Sequence, residues 1–183
     1  MTDRELKEGI ISKDGDAIRY LVDKYQEKVV RTAYRYTGNM EDAEDLSQEI
    51  FLEILRSAER FRDESSISTW IYRITVNYSL NAVKRKNGFL KFFSGSRLQE
   101  TDEPNDIRDF LGEEENVKLI YSSISALPAR QKTAFILHRF EDLSYKEISE
   151  VMKVSLSSVE SLIHRARMNL YGKLAGHFSE YIK

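Results

Sequence analysis

The sequence predicts an all-α protein: two small helical domains joined by a flexible linker, the C-terminal one containing a helix-turn-helix. Three observations carry this expectation. Apolar residues recur at spacings of three and four over most of the chain, the signature of helices with one buried face. A stretch from Gly88 to Asn116 breaks that period with glycines, Pro104 and a block of acids. Near the C-terminus two short amphipathic patterns flank a tight turn, each opened by a serine with a glutamate three residues on. No segment reads as a strand.

A length of 183 residues suits one ordinary domain or two small ones, so the periodicity has to decide between them. Ile18, Leu21, Val22, Tyr25, Val29, Ala33 and Tyr36 form one stripe over roughly Asp16 to Thr37, a helix that Gly38 ends. Asn39 is placed to cap a second helix, whose inward stripe is Ala43, Leu46, Ile50, Phe51, Ile54 and Leu55. After the loop "RFRDESSIS", Ser68 is placed to cap a third, running through "TWIYRITVNYSLNAVKRK". Short connections make these three a compact bundle. The aperiodic stretch that follows is longer than loops inside compact domains usually are, so it reads as a linker between domains. Order then returns over Val117 to Ala126, and Pro128 suits the first turn of a helix reaching about Arg139. Two shorter helices complete the chain.

Composition narrows the function. The chain is 41% hydrophobic and 32% charged, which allows a buried core under a highly charged surface, and it reads as soluble and globular. It contains no cysteine, which excludes disulfides, thiolate metal sites and cysteine nucleophiles. The N-terminus "MTDRELKEGIISKDGD" has no signal-peptide core, and no apolar run approaches the ~20 residues of a membrane span. A cytoplasmic protein without direct membrane insertion is expected. His138, His164 and His177 lack ligand spacing, no glycine-rich phosphate loop is present, and no nucleophile stands beside a base. No catalytic residue, metal or cofactor is expected.

The charge comes in blocks, and blocks decide what a surface touches. Glu41 to Glu64 is strongly acidic, Ser65 to Gln99 carries Lys and Arg without an acid, Glu100 to Asn116 is acidic again, and Val117 to Phe140 is basic. Such alternation fits faces made for different partners, or a solvated surface that only alternates.

"SYKEISEVMKVSLSSVESLIHRAR" is the most informative stretch. Ser144 with Glu147 and Ser157 with Glu160 are two candidate capping boxes. Ile148, Val151 and Met152 face inward from one helix, Val154 fills the turn, and Val159, Leu162 and Ile163 close the second helix over it, while Ser149 is small enough to let the two approach. This is the pattern of a helix-turn-helix, whose second helix enters the major groove of DNA. Lys153 stands in the turn where a left-handed residue, commonly glycine, is needed, at a cost of about 1 kcal/mol. The pattern leaves Ser157, Ser158, Glu160, Ser161, His164, Arg165 and Arg167 outward, a set able to hold phosphate oxygens and reach base edges. Taken singly, each is also an ordinary cap, solvated polar residue or complement to the helix dipole.

Three motifs in this order resemble the extracytoplasmic-function class of bacterial RNA polymerase sigma factors, from end to end: "NMEDAEDLSQEIFLEIL", "SISTWIYRITVNYSLNAVKRK" and "LPARQKTAFILHRFEDLSYKEISEVMKVSLSSVESLIHRAR". The resemblance implies region 2 over 1–87, an acidic linker over 88–116 and region 4 over 117–183. It implies that Asp42, Asp45, Gln48 and Glu49 dock on the β′ coiled coil of core polymerase, and that the β flap is a second contact. It implies that Phe61 to Ile67 is the loop holding a base flipped from the melted minus-10 strand, with Arg62, Ser65, Ser66, Arg73, Asn77, Lys84, Arg85 and Lys86 contacting that DNA. Extracting a base costs a few kcal/mol, which contacts to its edge and to phosphates must offset. Trp70 and Tyr72 invite a stacking role, but core packing is the commoner role of such a tryptophan. The residues left outward on the second helix of the turn are then readers of the minus-35 duplex. The resemblance also implies a separate anti-sigma factor, and linker acids Glu100 to Glu115 that mimic RNA inside polymerase. Two other readings use the same helices: a dimeric helix-turn-helix regulator that needs no polymerase-docking stripe, and a helical adaptor that never touches DNA.

Overall fold

The computed structural model describes residues 1–61, 65–93 and 115–178. These residues form two separate units. In the first, α1 (Asp3–Ile11), α2 (Gly15–Thr37) and α3 (Met40–Ser57) precede a single 3-10 turn at Ala58–Arg60 and the long α4 (Ile67–Phe93). In the second, α5 (Glu115–Ser125), α6 (Ala129–Arg139), α7 (Tyr145–Met152) and α8 (Leu156–Phe178) follow one another. All regular elements among the described residues are helical.

The first unit has one more helix than the periodicity predicts. Thr2 caps α1 through a full capping box: its hydroxyl accepts from the Glu5 amide at 3.2 Å while the Glu5 carboxylate accepts from the Thr2 amide at 2.7 Å. The Thr2 amide's bond to that carboxylate, with the Thr2 hydroxyl beside it, holds the Glu5 carboxyl below its ordinary pKa. Leu6 and Ile10 bury the inner face of α1. Such a short helix shows only two turns of apolar spacing, yet the Thr-x-x-Glu signature was present to mark it.

The helix ends follow local chemistry. Gly38, at φ 70°, ends α2 in the left-handed region, and the Asn39 side chain accepts from the Asp42 amide at 2.9 Å to start α3. The start of α4 differs from expectation. Ser66, not Ser68, is the cap, its hydroxyl accepting from the Thr69 amide at 3.1 Å. The helix has already begun at Ile67, which is buried, so Ser68 lies inside the first turn. At its far end α4 runs on to Phe93, past the boundary expected at 87, and α5 begins at Glu115.

Leu21, Ile50, Ile54 and Ile71 are at most 1% exposed and pack with Leu6, Tyr25 and Val29 into one core. Burying each leucine or isoleucine contributes about 1.5–3 kcal/mol. Trp70 belongs to this core, 8% exposed, its ring 5.2 Å from that of Phe61, and Tyr72 is buried as well. Neither ring is open for stacking on a base. α1 lies so close to α2 at Gly9 that a Cβ there collides with the Ala17 Cβ.

In the second unit Ala134, Ile136, Leu137, Ile148, Val159 and Ile163 are at most 1% exposed. The Ser144 and Glu147 capping box forms as expected, with the Ser144 amide 2.8 Å from the Glu147 carboxylate, and it lowers the Glu147 pKa. Lys153 adopts φ 52° and ψ 52°, the left-handed turn anticipated from its position. The cost of that conformation is offset by the bonds it permits, from the Lys153 and Val154 amides to the Ser149 carbonyl. Lys132 on α6 is also buried, at 9% exposure, and burial lowers its pKa to about 8.

Two outcomes follow from this packing. Gly9→Ala overpacks the α1–α2 contact and lowers stability by about 1–3 kcal/mol in denaturant unfolding, despite alanine's better helix propensity. Lys132 releases its proton more readily folded than unfolded, so between pH 8 and 10.5 the unfolded chain binds more protons and stability rises with pH. Below pH 8 both states are charged and the burial penalty is constant. Lys132→Met therefore stabilises the protein most below pH 8, by about 1–3 kcal/mol, and its advantage shrinks toward pH 10.5 in melting curves against wild type.

Candidate nucleic-acid interface

The second unit presents α8 by burying its other side. Val159, Ile163, Ala166 and Leu170, spaced four, three and four apart, are at most 7% exposed. The opposite positions Ser157, Glu160, Ser161, His164, Arg165 and Arg167 are exposed, and Ser158 is half-buried. All seven expected residues therefore stand along the first three to four turns of one helix. At its start, Ser155 accepts from the Ser158 amide at 3.2 Å, and its hydroxyl lies 3.1 Å from that of Ser157 and 2.8 Å from that of Ser158. The helix dipole makes this N-terminus electropositive, and its hydroxyls are of the kind able to donate to an anion.

This corrects the second capping box. The bonds to Ser149 close the turn at Val154, so the chain enters α8 at Leu156 and Ser155, rather than Ser157, is the capping residue. Glu160 is then five residues past the cap and takes no part in it. It stands exposed on the face shared with His164 and Arg167.

Arg167 is tied inward. Its guanidinium lies 3.4 Å from Nε2 of His138 on α6, and His138 Nδ1 lies 3.4 Å from the Leu143 carbonyl. Donation from Nδ1 to that carbonyl leaves Nε2 as an acceptor for the arginine. A second tie, 2.8 Å from the Asn169 amide to Gln131, joins the same helices. The sequence gives His138 no ligand spacing, and no local signal pairs it with a residue 29 positions away.

In the first unit, Asp42, Asp45, Gln48 and Glu49 are all exposed on α3, opposite buried Ala43, Leu46, Ile50 and Ile54. Arg73, Asn77 and Lys84, spaced four and seven, share a face of α4, with Arg73 half-buried and the other two exposed. Arg85 and Lys86 are exposed too, but they face α3. Lys86 Nζ is 3.0 Å from Asp42 and an Arg85 guanidinium nitrogen is 3.7 Å from Glu49. Two sets of residues expected to serve different partners thus neutralise one another. Tyr78, missed in the sequence, lies between them: its hydroxyl donates to Glu53 at 3.1 Å, and burial with that bond raises its pKa. Ser65 is half-buried and Ser66 is engaged as a cap, whereas Arg62 and the acids Glu100 to Glu114 lie outside the described residues.

Residues 21–89 match the family Sigma-70 region 2, and residues 118–170 match Sigma-70, region 4. The chain is 33% identical to the ECF RNA polymerase sigma-E factor of Haemophilus influenzae, over 95% of this chain and 96% of that one. It belongs to the ECF sigma factors of the sigma-70 family. The ECF RNA polymerase sigma factor SigE of Mycolicibacterium smegmatis is 34% identical over 87% of this chain, which spans 62% of that longer relative. The fold is also that of the sigma factor RpoE of Bartonella quintana, solved in complex with the anti-sigma factor NepR: the TM-score is 0.68 at 18% identity, over 86% of this chain and 96% of that one.

As a sigma factor, the protein directs RNA polymerase to promoters and is not an enzyme. Among the described residues no helix is long and apolar enough to cross a membrane, and no group of three or more acids or histidines is placed to hold a metal ion. With Glu160 free of capping, Glu160→Gln leaves stability within about 0.5 kcal/mol while changing the duplex sequence selected from a random pool. Ser155→Ala, by contrast, costs about 1 kcal/mol in unfolding.

Proposed function

We propose that this sigma factor divides promoter recognition between its two units, with region 2 over 1–87 capturing the melted minus-10 strand, an acidic tether over 88–116, and region 4 over 117–183 reading the minus-35 duplex. The observation that carries this reading is α8. Its buried stripe leaves Ser157, Ser161, His164 and Arg165 in one outward row behind a ring of serine hydroxyls, which suits a helix that holds phosphate at its tip and reads bases along its side. Asp42, Asp45, Gln48 and Glu49 are the docking stripe for basic side chains on the β′ coiled coil, and the β flap is the contact for region 4. Arg73, Asn77 and Lys84 line the path of the opened strand, with Arg85 and Lys86 joining them. A separate anti-sigma factor controls the protein in the cytoplasm, a reading supported by the complex in which the Bartonella quintana protein was solved.

The test is promoter-dependent initiation by core polymerase supplied with the purified protein. Asp45→Arg with Glu49→Arg is expected to abolish the complex with core while leaving stability within about 0.5 kcal/mol. Arg165→Ala is expected to retain core binding but weaken the minus-35 duplex at all sequences and reduce its salt slope by about one.

A further inference from the structure

The helix α1 precedes the region 2 match, which begins at residue 21, yet it reaches both ends of the segment between the 3-10 turn and α4. At one end the Lys7 ammonium lies over the Phe61 ring, 5.4 Å from its centroid, and Phe61 packs in turn on Trp70. At the other end Asp3 Oδ2 accepts from the Ile67 amide at 2.9 Å, across 64 residues of sequence. That amide belongs to the first turn of α4, whose donors have no partner within the helix. Ser66 serves one of them, at Thr69, and Asp3 serves another with a full carboxylate placed at the positive end of the helix. The orientation of Asp3 is itself held. It follows Thr2 in a capping box, and Leu6 and Ile10 anchor α1 in the core.

We infer that Asp3 is a positioning residue for base capture: through the Ile67 amide it sets where α4 starts, and hence where Ser65 and Ser66 stand relative to Asn77 on the same helix. This rests on the minus-10 reading above. α1 is then part of the promoter-reading device and not merely additional core. A carboxylate is suited to this because it binds a backbone amide more strongly than a neutral acceptor does.

The experiment assembles full-length protein with core polymerase and measures affinity for four single-stranded oligonucleotides carrying the non-template minus-10 strand, one for each base at the captured position. Asp3→Ala is expected to weaken the preferred oligonucleotide about fivefold and to narrow the ratio between bases, with affinity for core and for minus-35 duplex unchanged. Hydrogen exchange at the Ile67 amide should quicken in the same variant. Asp3→Asn, whose side-chain carbonyl can still accept from Ile67, should restore most of the base ratio. Wild-type base ratios in Asp3→Ala would overturn the inference while leaving the minus-10 reading intact. So would a loss of selectivity matched by an equal loss of core affinity, or one that Asp3→Asn fails to restore. A wild-type holoenzyme with no base preference would overturn the minus-10 reading itself, and the inference with it.

Discussion

The helices α3 and α8, which carry two of the candidate surfaces, each have a single apolar stripe, and a helix with one such stripe has one favourable rotation about its own axis. Burying Val159, Ile163, Ala166 and Leu170 turns the serines and Arg165 of α8 outward, and burying Ala43, Leu46, Ile50 and Ile54 does the same for the acids of α3. Rotating either helix by one residue would expose a core side chain worth about 1.5–3 kcal/mol and bury a charge at greater cost. The candidate rows are therefore held by the core behind them. α4 obeys the same constraint more severely. It is buried on several sides from Ile67 through Ser79, where Asn77 is exposed and Ser68, Arg73 and Tyr78 are half-buried, and it opens to solvent toward Lys84, Arg85 and Lys86.

The interactions laid over this scaffold are weaker. The pairs Asp42–Lys86 and Glu49–Arg85 keep side chains about half exposed, and exposed pairs of this kind contribute about 0–1 kcal/mol. They neutralise two surfaces of opposite sign at little cost to a partner that replaces either half. The tie between His138 and Arg167 has the same character, a long contact that orients an exposed side chain without fixing it. The outward rows of α3 and α8 are thus rigidly aimed by the core but loosely paired at the surface.

Much of this was legible in the residues. The helix faces, the glycine that ends α2, the Asn39 cap, the box at Ser144 and the left-handed Lys153 all depend on neighbours within about four positions, the range that periodicity and capping rules describe. The same rules faltered where several candidates compete. Ser66 and Ser68, or Ser155 and Ser157, are equally good caps as residue types; at α8 the bonds to Ser149 close the turn after α7 before Ser157 is reached, and at α4 the helix has begun at Ile67, before Ser68. α1 does not show in the periodicity because two turns give too little period to stand out.

By itself, then, the sequence determined the inward stripe of most helices, and through its motifs the family, because both are carried by local spacing, whereas the burial of Lys132 and the half-burial of Ser158 came from packing. Tertiary structure alone decided which outward groups meet: Asp3 with Ile67, Lys86 with Asp42, Tyr78 with Glu53, Arg167 with His138. Those partners are 25 to 64 positions apart, and no local rule selects among the many side chains able to make the same bonds. The packing of one helix on another brings them within reach, and that packing is a property of the whole core.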